Sequence, residues 1–157
     1  MTDRPASDAF QHADLDWDEN GQPQSRQYGD VYFSRASGLA ETEHVFLAQN
    51  DLTQRFAALH GNQHLVIGET GFGTGLNFLC AWHLFERTAD SQACLHFVSV
   101  EKHPLTHADL ERALALWPEL QVQAEQLLQQ YVALHPGYQR FVFAGGRVVL
   151  TLDRKST

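Results

Sequence analysis

Within the stretch VIGETGFGTGLNFLCAW (66 to 82), Glu69, Gly71, Gly73 and Gly75 have the types and spacing to do chemistry. An apolar run meets an acid, then three glycines at alternate positions, then apolar residues at helical spacing. Glycine-rich turns between a strand and a helix hold phosphates, dinucleotides or other nucleotide-like ligands, because glycine lets the main chain approach the ligand closely. A phosphate-binding P-loop needs a lysine after its last glycine. Here Gly73 is followed by Thr74 and Gly75 with no lysine nearby, which excludes that turn. The dinucleotide fingerprint G-x-G-x-x-G places its third glycine one residue later than Gly75. Glu69 would also repel a pyrophosphate, whereas it would favour a ligand carrying an ammonium and a sulfonium. That ligand is S-adenosylmethionine. The helix N-terminus near Thr74 can receive its carboxylate. Glu101, closing the next apolar run FVSVE, is placed to accept both ribose hydroxyls. A module binding NAD or FAD, and an inactive chain with no ligand, stay open as alternatives.

Other candidates carry less. Asp14 to Asp18 superficially suggests a calcium loop, but Glu19 stands where the loop needs glycine and Ser25 where it needs glutamate. His103 and His107 are four apart, yet Pro104 intervenes at the helix start, so no metal pair is expected. Lys102 and His103 read as surface neighbours of Glu101. Cys80 and Cys94 match no zinc spacing and are expected to be buried free thiols. No metal site is expected, and no residue is assigned as a catalytic acid or base.

The elements that must position these residues follow from periodicity and turn chemistry. Asn20-Gly21 marks a hairpin near residues 13 to 27. Leu52, Phe56 and Leu59 share one face of a helix expected over 39 to 59 and closed by Gly61. HLVIG (64 to 68) reads as a buried strand, and the residues from Thr74 as a helix apolar nearly all round, hence covered on both sides. LHFVSVE (95 to 101) is a second buried strand. Thr106 and Asp109 occupy capping-box positions, with Leu105 able to staple onto Leu110. Another amphipathic helix follows Pro118, carrying Leu120, Ala124, Leu127, Leu128, Tyr131 and Leu134, with Pro136-Gly137 as its stop. A second hairpin turns at Gly145-Gly146. Strand, helix, strand, helix predicts an open α/β sheet of the doubly wound, Rossmann-like kind.

The chain of 157 residues has the length of one domain and can bury a core. No apolar run approaches the ~20 residues of a membrane span. With no signal-peptide core in its polar start, a soluble, cytoplasmic protein is expected. Net charge is -8, with ten acids against four bases in residues 1 to 60 and nine against seven beyond. That sign argues mildly against an unspecialised nucleic-acid binder.

Taken in order, ADLDWDENGQPQSRQYGDVYFS, GLAETEHVFLAQNDLTQRF, VIGETGFGTGLNFLCAW and FVSVEKHPL resemble the amino-terminal domain of the MnmC family, the bifunctional tRNA 5-methylaminomethyl-2-thiouridine biosynthesis proteins. The resemblance covers about Ala13 to Leu152. It implies a Rossmann-like fold using S-adenosylmethionine to methylate an aminomethyl group on the wobble uridine of certain tRNAs. In the family, a carboxy-terminal FAD-dependent domain first removes a carboxymethyl group from that amine. It further implies that Glu69, Gly71, Gly73, Gly75 and Glu101 contact the methyl donor, and that Tyr28, Asp30, Tyr32 and Phe33 lie over the same site, near donor or substrate. After RVVLTL the family continues with a Gly-Asp that addresses the adenine and a DGFAPxKNPxMW-type motif, where this chain reads DRKST. The resulting expectation is a flexible tail over 1 to 12, a partial methyltransferase domain over 13 to 152 that is incomplete at its C-terminus, and a non-family tail over 153 to 157. No FAD domain is expected in the chain. Such a chain is expected to be monomeric, to bind the donor weakly or not at all, and to transfer no methyl group.

Overall fold

The computed structural model describes residue 12 and residues 15–17, 23–25, 35–132 and 136–154. Two short strands, β1 (Leu15–Trp17) and β2 (Pro23–Ser25), pair antiparallel with Leu15 opposite Ser25, as a hairpin near residues 13 to 27 requires; the expected turn at Asn20-Gly21 lies outside the described residues. The single helix expected over 39 to 59 is instead three pieces. Helix α1 (Arg35–Glu41) continues into a π-helical segment, Thr42–Ala48, and α2 (Leu52–Ala57) follows a break. The break falls at Asn50-Asp51. Asp51 takes the left-handed conformation (φ 57°), and the Asn50 amide donates back to the Phe46 carbonyl at 2.8 Å. Asn and Asp tolerate that geometry better than other residues with a Cβ.

Strand β3 (His64–Thr70) leads through the glycine turn into α3 (Leu76–Thr88), then to β4 (Cys94–Glu101). Helix α4 (His107–Leu114) is capped as expected, Thr106 Oγ1 accepting from the Asp109 amide at 3.2 Å, and Leu105 and Leu110 are both fully buried. After Pro118 a 3-10 turn (Pro118–Leu120) precedes α5 (Gln121–Gln130). Tyr131 leaves the helix and its hydroxyl donates to the Leu105 carbonyl at 2.8 Å, tying the end of α5 to the start of α4. Leu134, expected on the same helix, lies outside the described residues. The hairpin β5 (Gly137–Phe143) and β6 (Val148–Arg154) turns at Ala144–Gly146. β6 continues two residues past the boundary expected at 152, because Asp153 pairs with Val100 and Arg154 with Glu101.

The four-stranded sheet has the order β3-β4-β6-β5, parallel except for the edge strand β5. Its two faces differ. Leu95, Phe97, Val148, Leu150, Leu152, Phe141 and Phe143 face a core built on α3, whose Phe78 meets Phe97 edge-on at 5.3 Å and whose Trp82 lies 4.6 Å from Phe143. Packing of α2, the π-helical segment and α5 around α3 explains why that helix is apolar nearly all round. On the opposite face no strand residue is buried, and Val66, Val142 and Tyr138 are exposed. The second helical layer of a doubly wound sheet is therefore not found among the described residues. The β5–β6 hairpin returns without a crossover helix, so nothing in this stretch is carried to that side.

Among the described residues, no helix is long and apolar enough to cross a membrane, and no group of three or more His, Cys, Asp or Glu could hold a metal. Cys80 is a buried free thiol that burial pushes up to about 12. Cys94 departs from expectation. It begins β4 on the open face and is only half-buried.

Candidate functional site

The site lies where β3 and β4 end side by side. Parallel pairing sets Glu69 opposite Ser99, with Glu101 two residues further along β4 on the same face. The Gly71 amide adds one last bond to β4, donating to the Val100 carbonyl at 2.7 Å. The chain then turns through three glycines with positive φ: 85° at Gly71, 57° at Gly73 and 76° at Gly75. Residues with a Cβ adopt such angles at a cost.

Those glycines divide into two kinds. A Cβ on Gly71 would meet nothing within 4 Å, so the main chain there borders open space a ligand can approach. A Cβ on Gly75 would lie 2.8 Å from the Phe72 ring and 3.5 Å from Leu127. Gly75 faces the core, its amide donates to the Phe72 carbonyl at 2.9 Å, and its role is close packing of turn on helix. Gly75 also heads α3, and no side chain caps that terminus. The first-turn amides thus lack a capping acceptor, as a carboxylate site requires.

Glu101 fixes the turn to the tip of β4. Its Oε1 accepts from the Gly73 amide at 2.9 Å and its Oε2 from the His103 amide at 3.0 Å. Each carboxylate oxygen keeps a second lone pair, so the group can still receive two neighbouring hydroxyls. Glu69 is held differently. Its Oε1 accepts from the Ser99 hydroxyl at 2.9 Å and its Oε2 from the Asn77 amide at 3.1 Å, both neutral donors. Burial pushes its carboxyl up to about 7. The Asn77 and Ser99 hydrogen bonds pull the other way, and the charge of Glu101 pushes further up. A half-buried acid with neutral partners and a second acid nearby has the chemistry to take a cation.

Glu69 and Asn77 open on a groove of about 810 Å³ along β3, walled also by Phe46, Arg55, Ile67 and Val98. The structure thus brings together Glu69, Gly71, Gly73 and Glu101, and turns Gly75 into the core. Tyr28, Asp30, Tyr32 and Phe33 lie outside the described residues. Ser99 and Asn77 are additions from the structure. Alternation along FVSVE puts Ser99 on the face of Phe97 and Glu101, and Asn77 is the one polar residue in LNFLCAW.

No family model matches the chain. Sequence relatives do. Over 152 residues it is 82% identical to the tRNA 5-methylaminomethyl-2-thiouridine biosynthesis bifunctional protein MnmC of Stutzerimonas stutzeri, a match covering 97% of this chain and 23% of that protein. The proteins of the same name from Pseudomonas paraeruginosa and Pseudomonas aeruginosa are 73% and 72% identical over 143 residues, 91% of this chain and 22% of each. The chain therefore spans less than a quarter of the length of these relatives. Among solved structures, the crystal structure of MNMC2 from Aquifex aeolicus is similar with a TM-score of 0.58 and 18% identity, covering 90% of this chain and 42% of that one. At that identity the likeness speaks for the fold, a Rossmann-like α/β arrangement.

Proposed function

From the premise that this chain belongs to the MnmC family, we infer that it supplies the methyl-donor site of a tRNA wobble-uridine methyltransferase. The reaction is methylation of 5-aminomethyl-2-thiouridine to 5-methylaminomethyl-2-thiouridine, with S-adenosylmethionine as donor and tRNA as partner.

The donor set fits that cofactor. Glu101 would receive the ribose hydroxyls, Gly71 and Gly73 would let the main chain approach, and the uncapped start of α3 would take a carboxylate. Glu69 would face the positive charge. When bound, S-adenosylmethionine supplies an electrophilic methyl group on a sulfonium. The residues of the site contribute orientation and charge, the main requirement for an in-line transfer to nitrogen. Gly75 shapes the turn from beneath, and Tyr28, Asp30, Tyr32 and Phe33 remain proposed contacts near donor or substrate. The wobble base must leave the anticodon stack to reach such a site. We assign no described residue as the base that frees the amine, and none to FAD.

The observation that carries this reading over a dinucleotide site is Glu69, a half-buried acid at the mouth of the turn with neutral partners. Calorimetric titration with S-adenosylmethionine, NAD and FAD tests it. Binding of the first alone, weakened at least tenfold by Glu69→Ala, is expected, since the ligand's cation would lose its partner. Binding of NAD or FAD that Glu69→Ala leaves unchanged or improves would overturn it. Incubation with labelled donor and undermodified tRNA tests the transfer itself, with methylated wobble uridine as the readout.

A further inference from the structure

Resting on that donor reading, we propose that Glu69 is a proton-exchanging counter-ion: its carboxyl is held ready by Asn77 and Ser99, and it gives up a proton to solvent when a cationic ligand arrives. Donor capture would then be coupled to proton release, and Asn77 would act as a positioning residue for the carboxyl.

The geometry is specific. Asn77, in the first turn of α3, donates to Oε2 at 3.1 Å, and Ser99 on β4 donates to Oε1 at 2.9 Å. Both oxygens are thus anchored from different elements, and the carboxyl cannot rotate away from the groove without losing one bond. The charged groups around it are few. Among the described residues, Glu101 faces it from β4 with like charge, and Arg55 of α2 lines the same groove. Two half-buried acids on one face disfavour double ionisation until a cation enters, while the two neutral donors pull the other way and keep the ionised form within reach. Burial and Glu101 set the empty carboxyl near neutrality, where small changes in charge decide its state.

The linkage has a definite sign. The ionised carboxylate binds a cation better, so affinity rises with pH up to about 7 and then levels. The donor's own amine titrates above this window, at roughly 8 for an α-amino group. Balance is simple: the Glu69 carboxyl becomes a carboxylate, its proton passes to buffer, and no bond of the ligand changes.

Calorimetric titration of the chain with S-adenosylmethionine at pH 6, in two buffers of different ionisation enthalpy, reads the proton directly. Close to one proton released per ligand bound is expected, with affinity tightening roughly tenfold from pH 5.5 to 6.5. Glu69→Gln, nearly isosteric, should bind more weakly with no proton release and a flat profile over that range. Asn77→Ala should move the midpoint upward, which a purely structural role would not do. Binding without proton release, or release retained in Glu69→Gln, overturns the coupling while leaving the donor reading intact. No binding at any pH overturns both.

Discussion

A carboxyl that stays ready for a cation burdens the protein when no cation is present. Glu69 has an ordinary value of 4.5 and is raised to about 7 in the folded chain, chiefly by burial. Between those values the folded state keeps a proton that the unfolded state has lost. Its contribution to stability is therefore complete below 4.5 and declines as pH rises through 7. At 1.36 kcal/mol per unit, the decline amounts to about 3 kcal/mol. Glu69→Gln should abolish it, so the variant gains on the parent as pH rises from 5 to 8. Urea denaturation at both values checks this, and equal losses in both proteins would remove Glu69 as the source. This gain in stability and the expected loss of donor affinity come from one group. The acid and the glycines were legible in sequence because the chemistry of the turn is local. Ser99 and Asn77 were not singled out, since each joins Glu69 only through the register of β3 on β4 and the placement of α3.

At the scale of the element, the turn is a piece of packing as well as the proposed ligand cradle. Gly71 and Gly75 share positive φ but differ in what lies beyond their Cα. Gly71→Ala should cost only the backbone strain, about 1–2 kcal/mol. Gly75→Ala adds overpacking of about 1–3 kcal/mol against Phe72, a ring only 4% exposed with little room to move. The predicted order of stability is parent, Gly71→Ala, then Gly75→Ala, measurable from urea midpoints. Equal losses would mean that Phe72 yields freely. Donor affinity should separate the pair differently, because only Gly71 borders open space. The strands, both hairpins, the Thr106 cap and α3 followed directly from periodicity and turn residues. The long helix did not, because its apolar spacing runs on through Asn50-Asp51 while the backbone breaks there. Nor did the reach of β3 to Thr70 and β6 to Arg154, whose last residues are held by pairing with β4 rather than by their own propensity.

For the molecule as a whole, the sheet is the dominant fact, since among the described residues the helical packing falls on one face. The other presents a row of Val66, His96, Val149 and Val142 across all four strands, with Val98 and Val100 in the next two rows. Val66 is 61% exposed and Val142 47%. β3 lies at the edge of the sheet, and no strand pairs with its outer side among the described residues. A flat, partly apolar face beside an open edge is a liability in water, for it offers both apolar contact and unpaired backbone groups. Charge placed there should help without harming the core, because neither side chain is packed within it. Val66→Lys and Val142→Lys are thus expected to raise the concentration at which the chain stays in solution. They should change unfolding free energy by no more than about 0.5 kcal/mol, as surface substitutions do. Light scattering over a concentration series would check the first part and urea denaturation the second. Unchanged scattering would show that this face does not limit solubility. A large loss of stability would show that Val66 or Val142 is covered in solution. Val66 also lines the groove on which Glu69 opens, whereas Val142 on the far edge strand does not, so Val142→Lys alone is the substitution expected to keep donor affinity, which separates the behaviour of the open face from that of the site.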